Sequence, residues 1–439
     1  MGTISFSKDM SKVEMRLYNT SSIKLPGKVM CATIQRGATS GTGISVGASI
    51  ATQIEIKCEY SSWMKRGAEF YFEIWHPQYQ ITMYFMRFVI FDSPSVNDKI
   101  AHITAYSQIY KLQRYKFNMS LLKTKAASQN GKATFGDIVD VIKQQTGFTF
   151  EIQVYNFSVG MITEPMKYQI PSYFLESAEL IKYNYTCRQM VEFVAGAFGG
   201  NCFDIYDANY SLENKDKRLG CKICVNTLSN YSIFSAITVA KGDIYKDGIS
   251  VDKSDALPVD RLVINTNSGE GVEKPDYIRE RQYELGRTEE TSLCALEMNN
   301  PFIDWALAID LLAIDGVSSP STGQSVGTGK IMGRLSEVTC SSCECSIAGN
   351  VWIDETMPYS FPEPIDGKGT KYIPMEIITV IDGGMKTTFK SYGQKETDVS
   401  TSGGGQAEKL LLQYIRQEMD FIMNMDIEGS RIKESTITG

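Results

Sequence analysis

The sequence predicts an α+β, mainly β fold in which two related antiparallel β-barrel domains flank an inserted α+β domain. Three observations lead to this prediction. Strand-like segments fill the first part of the chain and return near its end, capped helices occupy the middle, and a helix with a short fibrous tail ends the chain. With 439 residues, the chain is long enough for about three domains with cores of their own.

Residues 1–118 are predicted to form the first β-barrel. Alternating or continuously apolar and aromatic segments indicate strands at Thr52–Tyr60, Glu69–Trp75 and Ile81–Phe91, and turn residues separate them. The glycine-rich stretch 37–49 lacks the spacing of a dinucleotide-binding loop and leads into a strand rather than a helix. We therefore expect a flexible hairpin tip or loop there.

Residues 119–240 are predicted to form the inserted α+β domain. Thr134 with Asp137, and Thr186 with Gln189, have the spacing of capping boxes at the start of two helices. The apolar face of the first helix consists of Phe135, Ile138, Val139 and Ile142, and that of the second of Met190, Val191, Val194 and Phe198. A strand-like segment follows each helix, so the domain should combine helices with a sheet.

Residues 241–330 are predicted to connect the domains. They contain a strand signal (RLVINTN), a charged run at 274–290 interpreted as a solvated surface, a helix at 301–314 and a polar loop at 316–330. The helix should begin at Asn300-Pro301, because Asn is a good cap and Pro suits the first helical position. The loop ends in GTGK but lacks the remaining residues of a phosphate-binding loop.

Residues 331–398 are predicted to form the second β-barrel, with a hairpin at Asp382-Gly383-Gly384. The order of its elements repeats that of the first block. A glycine turn, a strand and an Asp-containing turn lead to Ala105-Tyr106-Ser107-Gln108 in the first block and to Ser391-Tyr392-Gly393-Gln394 in the second. We therefore predict that the two barrels are related.

Residues 399–439 are predicted to form a linker, a trimerisation helix and an isoleucine-repeat tail. A short a/d seam, with spacings of 3, 4 and 3, consists of Leu412, Ile415, Met419 and Ile422. Beyond it, isoleucines recur every five residues, at Ile427, Ile432 and Ile437. These can pack against copies of themselves around an axis; the alternative is a frayed, disordered tail.

Composition argues against several function classes. The formal net charge is −7, which disfavours sequence-specific nucleic-acid binding. Only two histidines occur, so a catalytic mechanism or a metal site that needs histidine is disfavoured. The most apolar segment, near Ile81–Phe91, contains Arg87 and is too short to span a membrane. The N-terminal sequence lacks signal-peptide features, so we expect synthesis in a cytoplasm.

Ten cysteines are present, and two local clusters invite a zinc interpretation. Cys221 with Cys224, and Cys340 with Cys343 and Cys345, lie in strand-like segments far apart in the sequence. Free, buried thiols are the better interpretation in a chain of this length. The sequence therefore predicts no catalytic, cofactor-binding or metal-binding residues, no cofactor and no enzymatic activity.

Four segments resemble a known family. They are TCRQMVEFVAGAFGGNCFDIYD (186–207), NPFIDWALAIDLLAIDG (300–316), CSIAGNVWIDETM (345–357) and MEIITVIDGGMKTTFKSYG (375–393). In sequence and order they are similar to motifs of the baseplate hub, or tail-associated, proteins of tailed bacteriophages and phage-like contractile particles. The resemblance covers about residues 130–395.

The resemblance implies a homotrimer in which two barrels per chain give six similar units, the first barrel facing the tail tube. It implies a virion location, with a tail tube or distal tail protein and a central spike or tip protein as partners, and the tape measure protein as a further candidate. Two alternatives stay open. One is a receptor- or carbohydrate-binding adhesin, favoured by the many aromatic residues, and the other is a cell-wall hydrolase or peptidase using Cys187 or another cysteine with His102.

Overall fold

The computed structural model describes the chain in segments. These are residues 13–37, 47–78, 80–147, 153–156, 160–162, 185–197, 200–205, 222–227, 236–252, 261–265, 280–284, 295–299, 342–349, 353, 355, 357–362 and 371–391. The predicted helix 301–314, the loop 316–330 and the segment 399–439 lie outside these ranges. Within them, no helix has the length and apolar character needed to cross a membrane.

The first block is built of strands, as the alternating segments predict. The strands are β1 (Glu14–Tyr18), β2 (Val29–Gly37), β3 (Ser49–Ile50), β4 (Gln53–Glu59), β5 (Glu69–His76), β6 (Ile81–Ile90), β7 (Ser95–Asn97) and β8 (Ile100–Ser107). A two-residue turn at Asp98-Lys99 joins β7 to β8, and both residues have positive φ, which is typical of a type I′ hairpin.

Helices and a small sheet follow. The helices are α1 (Gln108–Leu112), α2 (Met119–Ser128), α3 (Phe135–Thr146) and α4 (Cys187–Ala197), and the strands are β9 (Gln153–Asn156), β10 (Gly160–Ile162), β11 (Gly200–Ile205) and β12 (Lys222–Thr227). Within the described segments, the sheet has the order β10-β9-β12-β11-β3. The inserted domain is therefore completed by β3, a strand of the first block.

Both predicted capping boxes are present. The Asp137 amide donates to Thr134 Oγ1 at 3.2 Å, and the Thr134 amide donates to the Asp137 carboxylate at 2.9 Å. At α4, the Gln189 amide donates to Thr186 Oγ1 at 3.2 Å, and the Thr186 amide donates to Gln189 Oε1 at 2.9 Å. These reciprocal bonds satisfy backbone groups at the helix starts, so local sequence alone defines where both helices begin.

The remaining described strands belong to three sheets. They are β13 (Ile237–Thr238), β14 (Ile244–Asp252), β15 (Arg261–Asn265), β16 (Glu280–Glu284), β17 (Ala295–Asn299), β18 (Ser342–Ala348), β19 (Tyr359–Ser360), β20 (Glu376–Ile381) and β21 (Met385–Ser391). β13 pairs with β19, and β16-β15-β17 form a separate sheet. The interpretation of the charged run 274–290 as a solvated surface missed β16, which pairs with β15.

A single sheet joins the two β blocks. Among the described residues it contains eleven strands, in the order β1-β5-β6-β8-β4-β2-β20-β21-β18-β14, with β7 beside β8. Two stretches of this order are alike. We call β7-β8-β4-β2 the first sheet unit and β20-β21-β18-β14 the second sheet unit. Each begins with a hairpin, continues through a central strand and ends in a strand that precedes the hairpin in the sequence.

The two sheet units also agree in register. Their central strands, β4 and β18, each have seven residues and pair antiparallel with the second strand of the hairpin. Their last strands, β2 and β14, each have a register irregularity, after Val29 in β2 and after Ile244 in β14. Both irregularities lie opposite the end of the central strand, at Cys58 and Ile347. The strand order therefore contains a repeat, but the turn that corresponds to the one at Asp382 is Asp98-Lys99. The sequence comparison matches the turn near Asp92 instead, and the relation between two barrels stays a prediction.

A separate hydrophobic core lies under each sheet unit. Tyr84, Phe70, Phe72 and Phe88 belong to the first, and Tyr359, Tyr372 and Phe389 to the second. β20 contributes to both, because Ile381 packs in the first core and Ile377 in the second. The mainly antiparallel, mainly β class is confirmed, while closure of each unit into a barrel stays a prediction.

α1 is attached to β5 and β6 of the joined sheet through one carboxylate. Glu69 of β5 accepts hydrogen bonds from Arg87 of β6 and from Lys111 of α1. Burial alone would raise the pKa of Glu69, but the hydrogen bonds and positive charges of Lys111 and Arg87 outweigh it and hold the pKa below its usual value. The ionised form of Glu69 is therefore favoured by folding.

We expect Glu69→Gln to lower the free energy of unfolding by about 1 kcal/mol near neutral pH, because an amide loses the charge attraction. Since the folded pKa lies below the unfolded one, this stabilisation is present above about pH 5 and disappears as the pH falls through the folded pKa. Urea unfolding of wild type and variant should therefore converge in acid. Glu55→Gln, on the exposed face of β4, is the control, and a Glu69→Gln difference that persists unchanged in acid contradicts the assignment.

Candidate functional site: the junction of the two sheet units

The junction is the pairing of β2, the last strand of the first sheet unit, with β20, the first strand of the second. The strands are antiparallel, from Ala32 opposite Ile381 to Gly37 opposite Glu376. Gln35 Nε2 donates to Glu376 Oε1 at 3.0 Å, across 341 positions of sequence. The junction therefore makes one continuous surface from two distant parts of the chain.

A buried ion pair lies beneath this pairing. Arg36 of β2 is 2% exposed and Glu355 is 6% exposed. Arg36 Nη1 lies 3.2 Å from both carboxylate oxygens of Glu355, and Nη2 donates to the Ile353 carbonyl at 2.6 Å. Two buried charges are tolerated here because each has a hydrogen-bonded partner of opposite sign. The pair ties β2 of the first sheet unit to the segment that precedes β19.

Sequence reasoning missed this pair, although a signal was present. In β2, Val29, Ala32 and Ile34 are buried, and the alternation places Arg36 on the same face. A charged residue at a core-facing position of a strand indicates a buried partner. The sequence does not identify that partner, since Glu355 is 319 positions away.

The last residue of β2 makes a close backbone approach. Gly37 has φ +153°, and an ideal Cβ built on it would lie 2.1 Å from the Met375 carbonyl oxygen. Only glycine fits a backbone this close to its neighbour. The glycine-rich stretch 37–49 therefore begins at a fixed point, where β2 meets the start of β20.

The other end of the glycine-rich stretch is fixed by α4. Arg188 Nε donates to Ser49 Oγ at 2.9 Å, and Ser49 Oγ donates to Glu192 Oε1. The Ala48 amide donates to Asn201 Oδ1 at 3.0 Å. These polar side chains are buried, so the contacts hold β3 firmly against the inserted domain. Residues 38–46, predicted as a hairpin tip or loop, lie outside the described segments.

The face of the joined sheet opposite the cores is polar, and we call it the polar face. Its side chains include Glu55, Lys57, Thr33, Gln35, Glu376, Val380, Lys386, Thr388, Lys390, Glu344 and Ser346. Lys390 Nζ lies 3.5 Å from Glu376 Oε2, and Ser346 Oγ lies 2.8 Å from Thr388 Oγ1. Both charge signs alternate over this surface, so it does not present the basic stripe of a nucleic-acid binder.

Three buried cysteines of the described segments have thiols that are not activated. Burial raises the pKa of Cys58 to about 11 and those of Cys187 and Cys345 to about 12. Thiols with such values are protonated at neutral pH and are poor nucleophiles. Cys187 lies in α4, and His102 lies on the exposed face of β8. No group of three or more metal-ligating side chains suited to an ion occurs within the described segments.

The remaining predicted site residues lie outside the described segments. They are the seam residues Leu412, Ile415, Met419 and Ile422 and the tail residues Ile427, Ile432 and Ile437. Cys221 and Cys340 of the two cysteine clusters also lie outside, whereas Cys343 and Cys345 lie in β18 as the strand interpretation predicts. The seam and the tail therefore stay predictions.

Known proteins were compared with the chain by sequence and by fold. No protein-family model matches the sequence, and no curated protein sequence matches it. A 43 kDa tail protein of prophage MuSo2 from Shewanella oneidensis is 12% identical, with 87% of this chain and 98% of that one covered and a TM-score of 0.45.

Two further structures are similar. A tail protein from Neisseria meningitidis MC58 is 8% identical, with 88% and 97% of the chains covered and a TM-score of 0.48. A chain of the P2 virion baseplate in its activated conformation is 9% identical, with 88% and 100% covered and a TM-score of 0.32. These similar structures are two tail proteins and a virion baseplate chain.

We expect Arg36→Met to destabilise the protein by about 3–5 kcal/mol, because it leaves the Glu355 carboxylate buried without its partner. Adding Glu355→Met removes that stranded charge and should restore much of the loss. Denaturant unfolding of the two single variants and the double variant measures the coupling. A double variant no more stable than Arg36→Met contradicts a direct interaction between the two side chains.

Gly37→Ala should disrupt the junction, since its Cβ meets the Met375 carbonyl. We expect a loss of more than about 2 kcal/mol in unfolding free energy, beyond the cost of a positive φ. Gly383→Ala is the matched control, because Gly383 has φ +65° but nothing within 4 Å of an added Cβ. It should cost only about 1 kcal/mol. Equal losses for the two variants would show that the close approach is unimportant.

Proposed function

We propose that this chain is the structural hub of a phage-like tail baseplate. In this proposal, three copies form a pseudo-six-fold ring that adapts a six-fold tail tube to a three-fold central spike or tip. The tail tube or a distal tail protein and the spike or tip protein are its partners, with the tape measure protein as a further candidate. The protein is synthesised in the host cytoplasm and resides in the virion tail.

The observation that carries this proposal is the tandem of two sheet units in one sheet. A chain with two similar units presents two similar surfaces, so three chains present 2 × 3 = 6 around a shared axis. Such a ring matches a six-fold partner on one side while its chains retain three-fold symmetry on the other. The four family-like segments of the sequence, which lie in the inserted domain, the connecting region and the second β block, support the same assignment.

The polar face suits the wall of a central channel. It joins both sheet units without interruption, and its charges of both signs leave no strongly basic surface for DNA to adhere to. The overall net charge of −7 also disfavours adhesion of DNA to the protein. In a ring, this face of each chain lines the passage through which the genome leaves the particle.

The aromatic residues favour the hub over an adhesin. The largest fully buried side chains are mostly aromatic, and they include Tyr84, Tyr359, Tyr372, Phe70, Phe72 and Phe88. Aromatic residues that bind sugars must be exposed, whereas these pack in the two cores. The buried, protonated thiols of Cys58, Cys187 and Cys345 likewise give the hydrolase alternative no support.

The seam residues Leu412, Ile415, Met419 and Ile422 and the tail residues Ile427, Ile432 and Ile437 are assigned to the three-fold end. Ile415→Asp together with Met419→Asp should convert a trimer into single chains, because buried carboxylates repel one another in a helical seam. Sedimentation velocity measures the change, and electron microscopy with tube protein tests the loss of ring binding.

Gln413→Asp with Gln417→Asp is the matched control, since these positions fall off the seam of the same helix. The control pair should sediment as the wild type does. Unchanged sedimentation of the seam variant would refute the role of the seam. A wild-type chain that is monomeric and binds glycan rather than tube protein would refute the hub and favour the adhesin.

A further inference from the structure

Three strands of the joined sheet have a free edge among the described residues, and two of these, β7 and β14, belong to the sheet units; the third, β1, pairs with β5 alone among the strands. β7 pairs with β8 alone, and β14, at the end of the second sheet unit, pairs with β18 alone. All three residues of β7 are exposed, and Val96 is 48% exposed. An exposed apolar residue on an edge strand is a ready position for another strand to pair.

The register identifies which positions correspond in the two sheet units. Ile100 and Lys386 lie opposite Glu59 and Ala348, the last residues of the two central strands. Their hairpin partners, Asn97 opposite Ile100 and Val380 opposite Lys386, therefore correspond. One position further, Val96 corresponds to Thr379. At the junction Thr379 is fully buried, because β2 covers it, whereas Val96 has no such cover among the described strands.

β14 corresponds to β2 by the same reasoning. Thr33 of β2 lies opposite Glu55, and Ser250 of β14 lies opposite Glu344, at matching positions of the central strands. The next residues, Ile34 and Val251, therefore also correspond. Within one chain, the edge of β2 is covered by the second sheet unit. The equivalent edge of β14 and the equivalent hairpin strand β7 are separated in the same chain by the whole sheet.

We infer that β14 of one copy pairs with β7 of the next copy, antiparallel and in the register of the internal junction. This places Ser250 opposite Asn97 on the polar face and Val251 opposite Val96 on the core side. The inference deepens the proposed function, because it names the surface through which copies of the ring join. A second copy of the chain is the occupant, since the chain already contains the template of this contact between β2 and β20.

The chemistry of the two edges is compatible. Val251 and Val96 give an apolar contact, and Ser250 and Asn97 give a polar one. The corresponding pairs of the internal junction are Ile34 with Thr379 and Thr33 with Val380, each of one apolar and one polar residue. The contact is head-to-tail, so repetition with the right rotation closes a ring. β7 has only three residues. A contact this short forms only between chains already held together, which assigns association to the seam and ring closure to β14 and β7.

The test is cross-linking of the full chain in a defined register. Asn97→Cys with Ser250→Cys places two exposed thiols directly opposite each other in the inferred contact, where an antiparallel pair has a Cα separation compatible with a disulfide. Mild oxidation should give covalent dimers and closed trimers on a non-reducing gel. Ser95→Cys with Ser250→Cys is the matched control, because Ser95 lies on the same face two residues away and should cross-link poorly.

A second variant tests the contact by adding a charge to β7 in the cross-linking background. Val96→Lys adds a charge to an exposed residue, so folding and thermal stability should be unchanged, but a charged edge repels an approaching strand. In the Asn97→Cys, Ser250→Cys background it should reduce the cross-linked product at least about fivefold. Val380→Lys is its control, since both edges of β20 are already paired within the chain.

The outcomes separate the two proposals. A trimeric wild type with register-specific cross-linking that Val96→Lys suppresses supports the contact. A trimer in which both cysteine pairs cross-link equally, or neither does, overturns the contact and leaves the hub standing. Both proposals are overturned if the wild type is monomeric at every concentration and neither double-cysteine variant cross-links.

Discussion

The pairing of β2 with β20 is the constraint on which the described structure depends. It joins two sheet units into one surface and sets how their two cores lie beside each other. A slip of one residue would turn every side chain of a strand to the opposite face. Arg36 reaches Glu355 in one register alone, and Gly37 fits against Met375 in the same register. The buried charges thus specify the junction more than they stabilise it.

The two faces of the joined sheet have different roles: one packs in the hydrophobic cores and the other forms a polar surface. The core side is dominated by aromatic and β-branched residues, which give each sheet unit its own stability. The side chains of the polar face do not pack in either core. Their composition can therefore suit the molecules that contact this face. The proposed structural role uses surfaces and strand edges rather than a cleft with activated groups. The protonated thiols and the balanced charges of the described residues fit that view.

Local features of the fold could be predicted from the sequence, and distant ones could not. Capping boxes at Thr134 and Thr186 and the hairpin at Asp382 depend on neighbouring residues, so they are visible in a short window. β16 was missed because its charged residues lack strand periodicity, and its pairing with β15 decides its structure. The partner of Arg36 lies 319 positions away, beyond any periodicity. The trimer seam was predicted from heptad spacing, lies outside the described residues and stays a prediction.

The length of chain between β2 and β20 has a consequence for biosynthesis. The two sides of the Gln35–Glu376 bond are 341 residues apart, so at ribosomal speeds of 5–20 residues per second β2 waits roughly 20–70 s for its partner. During that interval the nascent first sheet unit exposes an apolar edge to every other emerging chain. Premature pairing between copies made at the same time would trap misassembled dimers. A chaperone that shields this edge during translation would raise the yield of correctly folded chains.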